Sequence, residues 1–135
     1  TEIKNTLNAA RSLCNGKIIA IFQPHRYSRI IDLYDDFINS FNKADYIFVT
    51  NIYAAGEKYI EGISKEKIVE SIKSKGNEYV NTFKNEDKME NELIKVCKNR
   101  DFIIFLGAGS ISKKARALEN NMLELLSDNN SVNLN

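Results

Sequence analysis

A chain of 135 residues fits one domain of the usual ~100–200 residues and is long enough to bury a core in three layers. With 43% hydrophobic and 27% charged residues it reads as a folded globular chain, and a net charge of +1 gives no global field that would select nucleic acid or an acidic membrane. No apolar run reaches bilayer length, and no signal-peptide pattern opens the chain. Any cationic chemistry therefore has to be local.

Ile3, Leu7, Ala10 and Cys14 recur at helical spacing, with Gly16 as a stop. Lys17 to Phe22, KIIAIF, is a short strand-forming run, and Ile30, Leu33, Phe37 and Phe41 give a second helical stripe. Tyr46 to Thr50, YIFVT, is a second strand. Ser64 is placed as an N-cap, with Ile63 and Ile68 spaced for a hydrophobic staple. Ile68, Val69 and Ile72 mark the helix that follows, and Gly76 ends it. Glu78 to Phe83 is a weaker strand signal; Met89, Leu93, Val96 and Cys97 mark another helix. Phe102 to Leu106, FIIFL, is the most apolar strand, and Ile111, Ala115, Leu118, Met122 and Leu125 form a long final stripe. The domain is expected over residues 1–126, with a polar, flexible tail over 127–135.

Helix and strand alternate, and the strands are continuous apolar runs. That combination predicts an α/β fold: a three-layer α/β/α Rossmann-like domain with a mostly parallel sheet. Cys14 and Cys97 lie far apart, without CxxC or metal spacing, and read as small buried residues of a reducing compartment.

In an open parallel sheet, ligands gather at the carboxyl ends of the strands. Three strands here run into unusual sequence. The first meets Gln23-Pro24-His25-Arg26-Tyr27-Ser28-Arg29, the second Asn51-Ile52-Tyr53-Ala54-Ala55-Gly56-Glu57, the last Gly107-Ala108-Gly109-Ser110-Ile111. If the strands are parallel, all three loops share one edge.

Arg26 and Arg29, three apart at a helix start, fall on neighbouring positions of one face and offer planar forks for carboxylate or phosphate. Two cations there oppose the helix dipole, a cost that a bound anion relieves; the other reading is a solvated helix face. His25 is either a proton shuttle or a loop tie, and Pro24 fixes the loop's entry. Glu57 either orients a substrate amine, pairs with Arg26 or Arg29, or is a surface carboxylate. The Gly107-Ala108-Gly109 turn opens like a dinucleotide fingerprint. Ser112 stands where the third glycine belongs, and no later strand brings a ribose-binding acid, which argues against NAD. The turn either cradles an anion on exposed N–H groups or lets its helix pack closely. The chain has no GxxxxGK[ST] loop, metal-ligand cluster or GxSxG motif.

FQPHRYSR at 22–29, YAAGE at 53–57 and GAGSI at 107–111, in this order and spacing, resemble the C-terminal domain of the Mur ligases over Thr1 to about Leu125. Within that family the pattern is nearest to the enzymes that join L-alanine to UDP-N-acetylmuramate. The resemblance implies a three-domain, ATP-dependent ligase of peptidoglycan precursor synthesis. One domain holds the UDP-sugar, a central one holds ATP and Mg, and the third closes over both. The reaction runs through an acyl phosphate that the amine of alanine attacks. Carried over residue by residue, His25, Arg26 and Arg29 face the alanyl carboxylate and substrate; Gly107, Ala108, Gly109 and Ser110 help form the pocket; Tyr53 and Glu57 shape its side. The opening Thr1-Glu2 matches the family's Thr-Glu pair at the junction with the central domain, so the chain is expected to begin at a domain boundary. On this reading no catalytic residue lies in this domain alone, no cofactor or metal is bound by it, it is inactive by itself, its partners are the other two domains and the two substrates, and it is cytoplasmic. The competing expectation is a free-standing anion- or nucleotide-binding module without catalysis. A nucleic-acid-binding domain built on Arg26, Arg29 and nearby lysines is disfavoured by the balanced charge.

Overall fold

Five consecutive apolar residues, Ile18–Phe22, have no polar side to turn toward water, and all five are buried. A strand of this kind needs neighbours on both edges and cover on both faces. The computed structural model, which describes residues 2–107, supplies both. This central strand, β1, lies between β2 (Tyr46–Val49) and β4 (Phe102–Leu106), and β3 (Val80–Asn81) flanks β2. The order is β3-β2-β1-β4 and every pairing is parallel. The expected α/β fold with a parallel sheet is what forms.

The side-chain alternation of β1 feeds two cores. Ile18, Ala20 and Phe22 pack with Leu7 and Ala10 of α1 (Glu2–Leu13), Ile30 of α2 (Tyr27–Asp32), Ile38 of α3 (Tyr34–Ile38), and Ile68 and Ile72 of α4 (Lys65–Ser74). Ile19 and Ile21 face the other way, against Phe48, Phe83, and Met89 and Leu93 of α5 (Met89–Val96). Burying one such side chain stabilises by ~1.5–3 kcal/mol, so β1 is the largest single block of the core.

The local signals hold where the chemistry is local. Ser64 caps α4 by accepting from the Lys67 N–H at 3.1 Å, and Gly76, at φ 95°, follows its end. Two expectations change. The stripe from Ile30 to Phe41 is not one helix: Leu33, at φ −114° and ψ 19°, breaks it into α2 and α3. With the break, Phe37 and Phe41 both reach Phe22, at ring-centroid distances of 5.6 and 5.2 Å, while Leu33 itself stays exposed. The Glu78–Phe83 strand shrinks to Val80–Asn81, because it pairs with β2 alone and leaves the sheet at once. Cys14 is buried as expected; Cys97 is only half buried, and burial followed by the Asp101 charge raises its thiol pKa against the pull of Lys17. The last helical stripe and the tail lie outside the described residues. No described helix is long and apolar enough to cross a membrane.

Two carboxylates close the amino end of β1. Asp45 accepts from the Ile18 N–H at 2.8 Å and from Arg11 at 3.1 Å. Asp101 accepts from the N–H groups of Lys17 at 2.8 Å and Lys98 at 2.9 Å, with the Lys17 ammonium at 3.7 Å. Gly16 is required beside it, because a Cβ there would collide with the Asp101 carboxylate and the Arg100 carbonyl.

Burial alone would raise the Asp101 pKa, but the two N–H bonds and the Lys17 charge outweigh it and hold the carboxyl below its ordinary value. A lowered folded-state pKa contributes stability that is present above the unfolded carboxylate pKa and is lost as pH falls through the folded value. Asp101→Asn turns an amide NH₂ toward at least one donor. We expect it to cost ~1–3 kcal/mol at neutral pH and to flatten the loss of stability on acidification, measured by urea unfolding across the acid range.

Candidate functional site

Parallel pairing outlasts the strands at the opposite end of the sheet. The Thr50 N–H donates to the Phe22 carbonyl at 2.9 Å, the Tyr53 N–H to Pro24 at 2.9 Å, and the Arg26 N–H to Tyr53 at 2.8 Å. The last two form an isolated parallel bridge between His25 and Tyr53. Their rings stack at 5.3 Å and 16°. On the other flank the Gln23 N–H donates to the Leu106 carbonyl at 2.8 Å. The three loops singled out in the sequence therefore do emerge on one edge, through Gly107 in the third; Ala108, Gly109 and Ser110 lie outside the described residues.

A cavity of about 430 Å³ opens at this edge. The ends of β1 and β4 contribute Phe22, Gln23, His25, Phe105, Leu106 and Gly107. Glu2, Ile3 and Thr6 of α1 form one wall; Arg29, Leu33, Asp36 and Phe37 form the other. Much of the lining is apolar, and its charged side chains are one guanidinium and two carboxylates. Arg29 makes no ion pair among the described residues.

The two arginines do not act as the expected pair. Arg26 is the N-cap of α2 at φ 62° and ψ 130°, left-handed and outside the helix. It does not share the helix face of Arg29 and is not among the described residues lining the cavity. A non-glycine residue held at positive φ carries strain of ~1–3 kcal/mol, and the bridge to Tyr53 is what holds it.

Glu57 does not pair with either arginine by a salt bridge. Its carboxylate accepts from the Ser28 hydroxyl at 2.6 Å and the Ser28 N–H at 3.0 Å. The Ser28 hydroxyl bond, then the N–H bond, and more weakly the nearby Arg26 charge, hold its pKa below the ordinary value against desolvation. Glu57 thus ties the 51–63 loop to α2. Tyr53, exposed on its outer side, reaches the site through its stack on His25. No sequence signal pointed to Ser28, since a contact 29 residues apart is set by the fold.

Sequence reasoning assigns no role to Gln23. It is 3% exposed, and its Oε1 is buried with no hydrogen-bond partner among the described residues; the Nδ1 of His25 is in the same condition. An unpaired buried polar atom costs ~1–3 kcal/mol, and both residues are among those lining the cavity. The signal available in sequence was position: a polar side chain directly after five buried apolar residues.

Gly107 lets β4 approach Gln23. Its φ is 152°, and a Cβ would stand 2.9 Å from the Gln23 carbonyl oxygen and 3.1 Å from the Gln23 Cβ. We expect Gly107→Ala to lose ~1–3 kcal/mol in urea unfolding through this overlap and the backbone strain, while Gly56→Ala, with open space around it, loses only the strain component.

Residues 1–109 match the family model described as Mur ligase, glutamate ligase domain. Over 124 residues the chain is 42% identical to a UDP-N-acetylmuramate–L-alanine ligase of Rhizobium meliloti (strain 1021), covering 92% of this chain and 26% of that protein. It is 44% identical over 129 residues to the ligase of that name from Bartonella bacilliformis, covering 96% and 27%, and 47% identical over 122 residues to that of Rickettsia felis, covering 87% and 26%. The chain spans about a quarter of the length of these relatives.

Proposed function

Since the chain belongs to the Mur ligase family, through the family's C-terminal domain, we propose that it is the amino-acid-holding domain of a ligase joining L-alanine to UDP-N-acetylmuramate in peptidoglycan precursor synthesis. The observation that carries this reading is Arg29, a guanidinium without an ion pair among the described residues, on the wall of a cavity at the carboxyl edge of a parallel sheet. A planar fork in that position suits an amino-acid carboxylate.

ATP and Mg are assigned to the rest of the ligase, because this sequence contains no GxxxxGK[ST] phosphate-binding loop. Activation of the sugar's carboxylate is therefore assigned to the rest of the ligase, and the work is placed in the cytoplasm, where ATP is made available. The share of this chain is to bind and orient. Arg29 takes the carboxylate and His25 is fixed by Tyr53. The 51–63 loop, pinned through Glu57 and Ser28, shapes the rim together with Arg26. Gly107 lets β4 close on Gln23, and Ala108, Gly109 and Ser110 are assigned to the same substrate contact. Holding the amine against an activated carboxyl turns a two-body encounter into a positioned one, worth up to ~7–11 kcal/mol in favourable cases. Docking against the other domains also removes water that would hydrolyse the activated acyl group.

In the complete ligase, Arg29→Ala should lower kcat/KM for L-alanine by roughly ten- to over a hundredfold, as expected for loss of a charge-assisted hydrogen bond of ~1.5–3 kcal/mol. Its stability should change by no more than ~0.5 kcal/mol, since the side chain is exposed. Arg29→Lys should remain impaired, because the charge stays and the fork is lost. Wild-type kinetics in Arg29→Ala would refute the anion site. Phosphate release from ATP by the 135-residue chain alone, given both substrates, would refute the division of labour.

A further inference from the structure

The loop between β2 and α4 brings Tyr53 and Glu57 to the edge of the site, and one side chain from outside the loop holds it by both ends. Glu86 stands in a short 3-10 turn, Glu86–Lys88, just past β3. Its Oε2 accepts from the Asn51 N–H at 3.0 Å, where the chain has just left β2. The same oxygen forms an ion pair at 3.9 Å with the ammonium of Lys65, where α4 begins. The side chains of Lys65 and Glu86 are only 22% and 15% exposed, so water competes little for the contact. One oxygen thus closes the neck of the 51–63 loop, as in the compact surface loops whose ends are held together.

The base of this clasp is itself fixed. Glu92 of α5 accepts from the Lys84 N–H at 3.0 Å and from the Asn85 N–H at 3.3 Å, which sets the segment that carries Glu86. The consequence runs outward along the loop. Two residues past Asn51, the Tyr53 N–H donates to Pro24, the Tyr53 carbonyl accepts from Arg26, and the Tyr53 ring stacks on His25. The path from β2 to that bridge passes through Asn51, so the place where Asn51 is held sets how Tyr53 meets residues 24–26. Resting on the ligase reading above, we infer that Glu86 is a positioning residue for the amino-acid site. It does not line the cavity. It holds the neck of the 51–63 loop, and through Tyr53 it keeps His25 and Arg26 in place at the rim. A carboxylate suits the task because it accepts from a backbone N–H and faces a cation at once; an amide oxygen keeps the first contact in weaker form, and alanine keeps neither.

Hydrogen exchange tests the clasp without any substrate. In the ¹⁵N-labelled 135-residue chain, Glu86→Ala should speed exchange of the Tyr53 and Arg26 amides ~10- to 100-fold beyond any change in the β1 amides, which report global opening. Kinetics of the complete ligase test the consequence. Glu86→Ala should raise KM for L-alanine ~10-fold and leave kcat and KM for ATP within about twofold, as when binding is lost without loss of folded enzyme. Glu86→Gln, which keeps an acceptor oxygen, should recover most of that loss. Lys65→Met, which releases only the other end of the neck, should raise the same KM ~2- to 5-fold. A purely structural role would lower kcat with both KM values unchanged, and that result would overturn the inference. So would exchange at Tyr53 and Arg26 that changes only in step with β1, or equal damage from Glu86→Gln and Glu86→Ala. If the wild-type ligase forms no amide with any amino acid, the ligase reading fails, and the exchange experiment still decides whether Glu86 holds Tyr53 and Arg26.

Discussion

A strand sealed on both faces cannot have a hairpin neighbour on its parallel side. The chain has to leave its carboxyl end, cross a face as helix, and return at the amino end. β1 imposes this twice, once toward β2 and once toward β4. Each crossover places a helix where it covers the apolar runs, and each starts with a loop on the same edge. Burial of Ile18–Phe22 thus fixes both the core and the location of the site. The cavity is where the carboxyl ends of β1 and β4 meet the start of α1 and the break between α2 and α3.

The two ends of β1 are chemically opposed. At the amino end every demand is met: Asp45 and Asp101 receive the N–H groups of Ile18 and Lys17, and both carboxylates are themselves paired with a cation. That end is built for stability. At the carboxyl end Gln23 Oε1 and His25 Nδ1 have no partner among the described residues, and Arg26 is held in a strained conformation. These local costs are offset by the well-satisfied amino end and by the buried core.

The loop between β2 and α4 shows how such a site is kept stiff without regular structure. A parallel bridge at Tyr53, a ring stack on His25 and two bonds from Ser28 to Glu57 hold it against α2. Glu57 therefore spends its charge on the scaffold. The same bridge holds the backbone of Arg26 outside the helix, which is why only Arg29 of the two arginines reaches the cavity.

Much of this was legible in the residues. Continuous apolar runs separated by helical stripes determined a covered parallel sheet. Ser64 and Gly76 determined the limits of α4, because caps and stops act within a few residues of themselves. Parallel strands in turn dictated that FQPHRYSR, YAAGE and Gly107 share an edge. Only the tertiary structure decided how the members of those motifs divide their roles. Arg26 and Arg29 are three apart in sequence, and helical spacing puts them on one face; a hydrogen bond to Tyr53, from a loop far along the chain, takes Arg26 out of the helix. The partner of Glu57 and the unpaired condition of Gln23 have the same origin. Periodicity and capping are properties of neighbours in the chain, whereas burial, pairing and the lack of a partner are set by which distant segments the fold brings together.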